Sequence, residues 1–493
     1  MNSYKNVSDL INSHIGKDSG SIAIATEFET ITYKQLDNYV SNVAALFNKK
    51  NINPGDIVAL TFNNQLSFII SMLAVARIGA TLFSLSNTTA PLMKKELLKR
   101  VNAKFIVTDI PSILNKHREL TNIFIDNKDI KKKHDSTIYI PAPEAPWQII
   151  LGSGSTGKSK LIPITHEQEI ARTFTPNDSF HIQKGDRVAS LINIHFSDTK
   201  RRFLETIAAK ATFVFRDNKK IDLIEMYKKL NVNILRSTVF HIEHLLTQLP
   251  KDTKNFFGFL KVLSVGTSVV SEKLRERIYN HLTPNLYITY GTNETGTLTA
   301  LNPFNTTTVP GSVGKPFDGI EIEIVDHDDK ILLNDTVGLI RIKSKGTVNH
   351  YMYDEEATQD AFKNGWFYPG DLGKLTDDGQ LVYMGRSDHM MIMDGINIYP
   401  SEIERVITSH PDVKDAAAMP IKSTIHQDIP ICAVVLENNS IINEKGLIDY
   451  SIRYLGSSSP RRVIILDEIP RNEQGKLIRS ELKKYIEDKL NRI

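Results

Sequence analysis

The chain has 493 residues, 41% of them apolar and 24% charged, which is enough to bury a large core and too long for one compact unit. Sixty Lys and Arg against 57 Asp and Glu leave a formal charge of +3, so phosphate-backbone binding is excluded as the main task and no nucleic-acid partner is expected. Cys432 is the single cysteine, which rules out an intramolecular disulfide, a cysteine zinc cage and an iron–sulfur cluster, and fits a reducing compartment.

In chain order, the opening MNSYKNVSDLINSHIG lacks the basic-then-apolar pattern of a secretory signal, so a cytoplasmic protein is expected. The segment TYKQLDNYVSNVAALF puts Leu36, Val40, Val43 and Leu46 on one helical face, and Thr32 with Gln35 fits a capping box at its start. Next come an apolar run at Ile57 to Phe62, a helical pattern from Leu66 to Ala76, a run near Thr81 to Leu85, a helix near Met93 to Val101 and the run FIVTD at Phe105 to Asp109. This alternation predicts βαβ units around a parallel sheet. The most apolar stretch, Phe68 to Leu85, is broken by Arg77 and Gly79 and reads as a packed helix followed by a strand, so no membrane partner is expected. Lys131 to Lys133 reads as a solvated loop.

The alternation returns between Arg187 and Val265, whereas short runs such as IEIEIVD and GLIRIKS between Val313 and Met384 predict antiparallel sheet or barrel. From Pro400 the pattern becomes a small α/β unit, with helices near Ser401 to Ser409 and Glu444 to Leu455. The fold class is therefore α/β: a large composite domain over residues 1–387, with parallel βαβ sheets and a smaller antiparallel part, and a small domain over 388–493.

The stretch IILGSGSTGKSKLIPITH packs three glycines, several hydroxyl residues and two lysines between Gly152 and Lys160, the composition of a phosphate cradle. Its letters satisfy two nucleotide motifs at once. Gly152 to Ser159 fits GxxxxGK(S/T) of the P-loop NTPases, with VIILDE at Val463 to Glu468 as a candidate Walker-B strand, and Gly152, Gly154 and Gly157 fit the dinucleotide GxGxxG. Both motifs need a helix to start at the loop, and Pro163 with its β-branched neighbours favours a strand instead.

A third reading is that the stretch resembles the SGTTGKPKG loop of the adenylate-forming superfamily. Four later segments match that superfamily in order and spacing: YGTNETG at Tyr290 to Gly296, GWFYPGDLG at Gly365 to Gly373, GRSDHMMIMDGINIYPSEIE at Gly385 to Glu404, and PRNEQGKLIR at Pro470 to Arg479. The chain is identified as a member, and the resemblance covers nearly all of it. It implies ATP-dependent activation of a small carboxylic acid to an acyl-adenylate, then transfer to a thiol to give a thioester, with pyrophosphate and AMP released. The acceptor it implies is CoA or the phosphopantetheine of a separate carrier protein, and the rival from another class is a P-loop NTPase or kinase.

Residue by residue, the resemblance implies that Ser153, Gly154, Ser155, Thr156, Gly157, Lys158 and Lys160 cradle the outer phosphates of ATP, and that Glu294 holds the Mg2+ that bridges them. Gly266, Thr267 and Ser268 are similar to the strand-end turn on which adenine stacks, with Tyr290 as aromatic partner and Gly291, Thr292 and Asn293 beside the phosphates. Asp371 and Arg386 match the ribose contacts, Asp388 the hinge, and Lys476 the catalytic lysine that reaches the attacking carboxylate and the α-phosphate. His195 resembles the gate between acyl pocket and thiol tunnel, and the pocket would also include Asp198, Gly266, Thr295 and Gly296. Asp198 suggests an acid carrying a polar or amino group, since an apolar tail would not welcome a carboxylate. The chain departs from the family pattern at Asn293, Ser159, Leu161 and Ile392, none of which removes an essential charge.

Overall fold

Local hydrogen bonding starts the first long helix: Thr32 caps Tyr33–Lys49, its hydroxyl accepting from the Gln35 amide while the Gln35 side chain accepts from the Thr32 amide. The buried face of this helix carries Leu36, Val40 and Val43. It packs on the helix Gln65–Arg77, which is buried from Ser67 to Arg77. Such burial leaves Arg77 in need of partners, and it finds Asp37 at 2.6 Å and the Ser41 hydroxyl at 2.7 Å. A computed structural model describes residues 4–12, 20–113, 119–133, 139–152, 159–174, 180, 182–217, 222–250, 252–303, 309–393, 396–423, 427–472 and 475–490.

Among the described residues four sheets are present. One has six strands in the order Thr121–Phe124, Phe105–Thr108, Ile57–Thr61, Thr81–Ser84, Pro146–Gly152 and Lys160–Thr165, parallel except for the last pair. A nine-stranded sheet has at its centre the parallel strands Leu286–Thr292, Val262–Gly266, Ile234–Thr238 and Arg187–Ser190. The helix Ser197–Ala208, buried from Thr199 to Ile207, contributes Phe203, Leu204 and Ile207 to the same apolar core as Gln65–Arg77. The stretch from Glu321 to Arg386 forms the antiparallel sheet expected there.

The sheet changes at Arg386: a 3-10 turn at Ser387–His389 leads to Met391–Met393, the first strand of a five-stranded C-terminal sheet with its own apolar clusters. The helices Pro400–Thr408 and Glu444–Leu455 cover it. Lys273 in the large domain fastens the small one, donating to the carbonyls of Pro411 at 3.1 Å and Val413 at 2.6 Å and to Glu437 at 3.0 Å. The lysine run differs slightly from expectation. Lys131 ends a short helix, Asn127–Lys131, capped by Asp126, although all three lysines are exposed. No helix among the described residues is long and apolar enough to cross a membrane.

Candidate active site

The glycine loop joins two antiparallel strands. Gly152 lies opposite Lys160, so the chain turns back along its own sheet, and the described residues after the loop form a strand and not a helix. A P-loop places its phosphate at a helix amino end, and this hairpin has none to offer. The candidate Walker-B run forms the strand Arg462–Ile465 in the C-terminal sheet. Ser153, Gly154, Ser155, Thr156, Gly157 and Lys158 lie outside the described residues. The base of the loop is anchored: Arg100 donates to the Ser159 carbonyl at 2.8 Å, and Asn293 donates to the Leu151 carbonyl at 3.2 Å.

Asn293 and Glu294 occupy the turn between the antiparallel strands Leu286–Thr292 and Gly296–Leu301. Arg172, buried on the helix His166–Phe174, holds this turn by donating to the carbonyls of Asn293 at 3.2 Å, Glu294 at 2.5 Å and Gly346 at 2.6 Å. Burial lowers its guanidinium to about 10, so it stays charged at neutral pH. The Glu294 carboxylate accepts from the Tyr351 hydroxyl at 2.9 Å, and Lys160 lies 4.3 Å above the Tyr351 ring. Thr292 and Thr295 bind each other through their hydroxyls at 3.1 Å.

The strand Val262–Gly266 ends beside Thr289 of the neighbouring strand. Thr267 follows with φ of 73°, a left-handed backbone that a β-branched residue rarely adopts and that marks a functional turn. Gly266 must be glycine, because a Cβ there would lie 2.5 Å from the Thr289 hydroxyl and 2.9 Å from Arg236 Nη2. Tyr290 donates its hydroxyl to Asp371 at 2.5 Å, and its ring lies 5.6 Å from that of Tyr383. Asp371 and Arg386 face each other across paired strands and approach to 3.5 Å. Burial raises the Asp371 carboxyl to about 6, against the opposing pull of the Tyr290 hydroxyl and the Arg386 charge. Burial and the Asp371 charge together push the Tyr290 hydroxyl well up, keeping it a proton donor. Asp388 pairs with Arg386 at 3.2 Å, at the point where the sheets change.

Lys476 comes from the small domain. Its loop is closed by Arg471, which grips Asp415 at 2.9 Å and the Gly475 carbonyl at 3.1 Å. Gly475, at φ of 77°, sits against Phe240 of the large domain, where a Cβ would fall 2.3 Å from the Phe240 Cβ. The loop is thereby seated so that the Lys476 charge is felt at Asp371.

At the other end, His195 donates Nε2–H to the Phe62 carbonyl at 3.3 Å and sets its ring edge-on to Phe68 with centroids 4.6 Å apart. Its Nδ1 is buried with no hydrogen-bond partner among the described residues. Burial, with Lys200 adding repulsion, lowers the imidazole to about 4, so it is neutral at pH 7. Asp198 is not an open acceptor. Arg201 and Arg236 each pair with it at 2.8 Å, and Arg236 also donates to Ser264 at 2.8 Å and Thr289 at 2.9 Å. Burial opposes ionisation, but the Arg236 and Arg201 charges overcome it and hold Asp198 below the ordinary carboxylate range. An ammonium tail would meet those two guanidiniums, which removes the basis for an amino acid. Ser197, which starts the same helix, reaches Asn293 at 3.5 Å and links the two ends of the site.

Sequence reasoning missed three residues. Arg172 and Tyr351 carry no motif. Arg236 did leave a signal, since an arginine inside ILRST, a run that forms a fully buried parallel strand, needs a reason to be there.

The AMP-binding enzyme family model matches residues 13–352, and the AMP-binding enzyme C-terminal domain matches residues 402–476. This chain belongs to the AMP-binding enzyme family. It is 27% identical to an uncharacterized acyl–CoA ligase, YhfT, of Bacillus subtilis, with 95% of this chain and 96% of that one covered. It is 25% identical to a 2-succinylbenzoate–CoA ligase of the same organism, with 94% of each chain covered. Among solved structures, ATP-bound MatB from Rhodopseudomonas palustris superposes with a TM-score of 0.89 at 23% identity, over 98% of this chain and 99% of that one. O-succinylbenzoate coenzyme A synthetase (MenE) from Bacillus subtilis with AMP superposes at 0.84 and 22% identity, over 96% and 98%. The family member described here is an AMP-forming acid–thiol ligase, working through an acyl-adenylate.

Proposed function

We propose that this ligase uses MgATP to activate a small carboxylic acid and passes the acyl group to CoA. The observation that carries the reading is the joining of Tyr290, Asp371 and Arg386 from two sheets, with the Glu294 and Lys476 charges bearing on the same Asp371 carboxyl, and a buried histidine and an arginine cluster further along. The named CoA ligases among its relatives support CoA over a carrier protein as acceptor.

In the first half-reaction an oxygen of the substrate carboxylate bonds to the α-phosphorus while the bond to the pyrophosphate oxygen breaks. Two anions must approach each other, so the chain's task is position and positive charge. Lys476 supplies an ammonium from the small domain, and Lys160 with the glycine loop receives the departing phosphates. Asp371 and Arg386 hold the ribose, and Tyr290 with the Gly266–Ser268 turn holds the adenine. Among the described residues no cluster of three ligating side chains could keep a metal, but the single Glu294 carboxylate fits Mg2+ that arrives on the phosphates of ATP. When bound, that ion neutralises phosphate oxygens. Arg172 fixes the Glu294 backbone and Tyr351 its carboxylate, so the carboxylate is aimed before ATP arrives.

In the second half-reaction the thiol sulfur attacks the acyl carbon, the bond to the phosphate oxygen breaks, AMP leaves and the thiol proton passes to solvent. His195, neutral and with a buried Nδ1 that has no hydrogen-bond partner among the described residues, gates this approach. Asp388 is the hinge about which residues 388–493 turn to replace the Lys476 face.

The test is ATP–pyrophosphate exchange without thiol over a panel of acids, followed by CoA and by a phosphopantetheine-bearing carrier as acceptors. Acid-dependent exchange, then loss of free CoA thiol, is the expected result. ADP in place of pyrophosphate, or a thioester formed on the carrier alone, overturns it.

A further inference from the structure

The floor of the acyl end is a buried ionic cluster on one face of the helix Ser197–Ala208 and the strand behind it. Arg201, Arg202 and Arg236 are 7%, 3% and 4% exposed, and Glu205 is 1% exposed. Arg202 pairs with Glu205 at 2.5 Å, and Arg201 and Arg236 share Asp198. Three guanidiniums therefore face two carboxylates, leaving one unbalanced positive charge. Each guanidinium has a carboxylate partner, and Arg201 lies against both Asp198 and Glu205, but the carboxylates are shared, so a further anion at this cluster would be favourable.

One guanidinium nitrogen of this cluster remains open beside a motif glycine. Arg201 Nη2 is taken by Asp198 at 2.8 Å and Thr297 at 2.7 Å and its Nε lies 3.5 Å from Glu205, whereas its Nη1 has no hydrogen bond among the described residues. That Nη1 lies 3.0 Å from where a Cβ on Gly296 would be, and Arg236 Nη2 lies 2.9 Å from the corresponding point on Gly266. Glycine at each motif turn lets a guanidinium come up to the backbone that borders the proposed acyl pocket.

Resting on the ligase reading above, we infer that the acid is a short dicarboxylate, or carries an equivalent second anion, whose far end is received by Arg201 with Arg236 bracing Asp198 behind it. The two carboxylates have separate fates. One becomes the acyl-adenylate, while the other takes the open Arg201 donors and completes the charge balance. An ammonium tail would be repelled, and a long alkyl tail would have to bury against a charged floor. Arg201 is thus a specificity-determining residue for this reaction.

The test is pyrophosphate exchange with matched pairs, propanoate against malonate and butanoate against succinate, with β-alanine and octanoate alongside. The dicarboxylate of each pair is expected to exceed its partner in kcat/KM by about tenfold to a hundredfold, the effect of one charge-assisted pair. In Arg201→Gln the ratio between pair members should fall towards one, and Arg201→Lys should restore part of it. Because each ratio is taken within one preparation, partial unfolding of a variant does not change it. Preference for the monocarboxylates, β-alanine or octanoate, or an unchanged ratio in Arg201→Gln, overturns the inference and leaves the ligase reading standing. Absence of exchange with every acid removes both.

Discussion

Two aspartates mark the two ends of the site, and they behave in opposite ways. Asp371 is buried and Asp198 largely covered, yet Asp371 is raised to about 6 while Asp198 is held below the ordinary range. The difference lies in what replaces the water. Asp371 receives one phenol hydroxyl and a partly exposed arginine 3.5 Å away. Asp198 sits between two guanidiniums at 2.8 Å each. One carboxylate has spare capacity for a ligand's hydroxyls, and the other is spent on holding arginines in place. On the proposed reading the first aspartate recognises the ribose, and the second leaves recognition to the arginines around it.

Four substitutions and one pH profile would break or sharpen this contrast. The largest effect is expected from Lys476→Ala, which acts only at the Asp371 end: adenylation should fall by about a hundredfold to a thousandfold. Thioester formation from a preformed adenylate should persist, and equal loss of both half-reactions would remove the division of labour between the small-domain faces. Next, Asp198→Asn strips the shared counter-ion from Arg201 and Arg236 and should destabilise the fold by about 2 kcal/mol in denaturant titration. An unchanged midpoint would mean that the cluster does not bear on the fold.

The same change at Asp371 should have the opposite sign. Its carboxyl titrates at about 6 in the fold, and at roughly 3.9 in an unfolded chain. Ionising it therefore costs stability, a cost absent below the unfolded value and complete above about 6. Asp371→Asn should stabilise the fold at pH 7 by on the order of 1 kcal/mol, while weakening ATP binding. In the native enzyme, KM for ATP should rise as pH falls through about 6, and a flat profile would count against Asp371 as the ribose acceptor. The smallest effect belongs to Tyr351→Phe, which frees the Glu294 carboxylate. It should lower the rate by about threefold to tenfold, and raise the Mg2+ concentration needed for half-maximal rate. An effect on KM for the acid instead would assign Tyr351 elsewhere.

What could be read from the sequence follows the same division. The Thr32–Gln35 cap, the alternating strands and helices and the Asp371 and Lys476 motifs are local, because their partners or their spacing lie within a few residues. The strand at Lys160–Thr165 was legible from Pro163 and its branched neighbours, and it disposed of the P-loop letters. The acyl end was not legible in this way. Asp198, on a helix, pairs with Arg236, 38 residues away on a strand, and Glu294 is held by Arg172, 122 residues away. Pairings of this kind are set by how the nine-stranded sheet stacks on its helix, which no short pattern records. The reading of Asp198 as a receptor for a polar or amino group met the same limit: a lone acid in a sequence has a sign but no neighbours.

The contact between Gly475 and Phe240 has a mechanical meaning as well. A Cβ at position 475 would fall 2.3 Å from the Phe240 Cβ, so the joint has clearance for a hydrogen atom and none for a methyl group. If the small domain leaves and returns in every cycle, it must reseat on a surface that tolerates almost no error. A side chain added at 475 would leave the lysine chemically intact and still starve the reaction, by reducing the fraction of time for which the lysine is delivered.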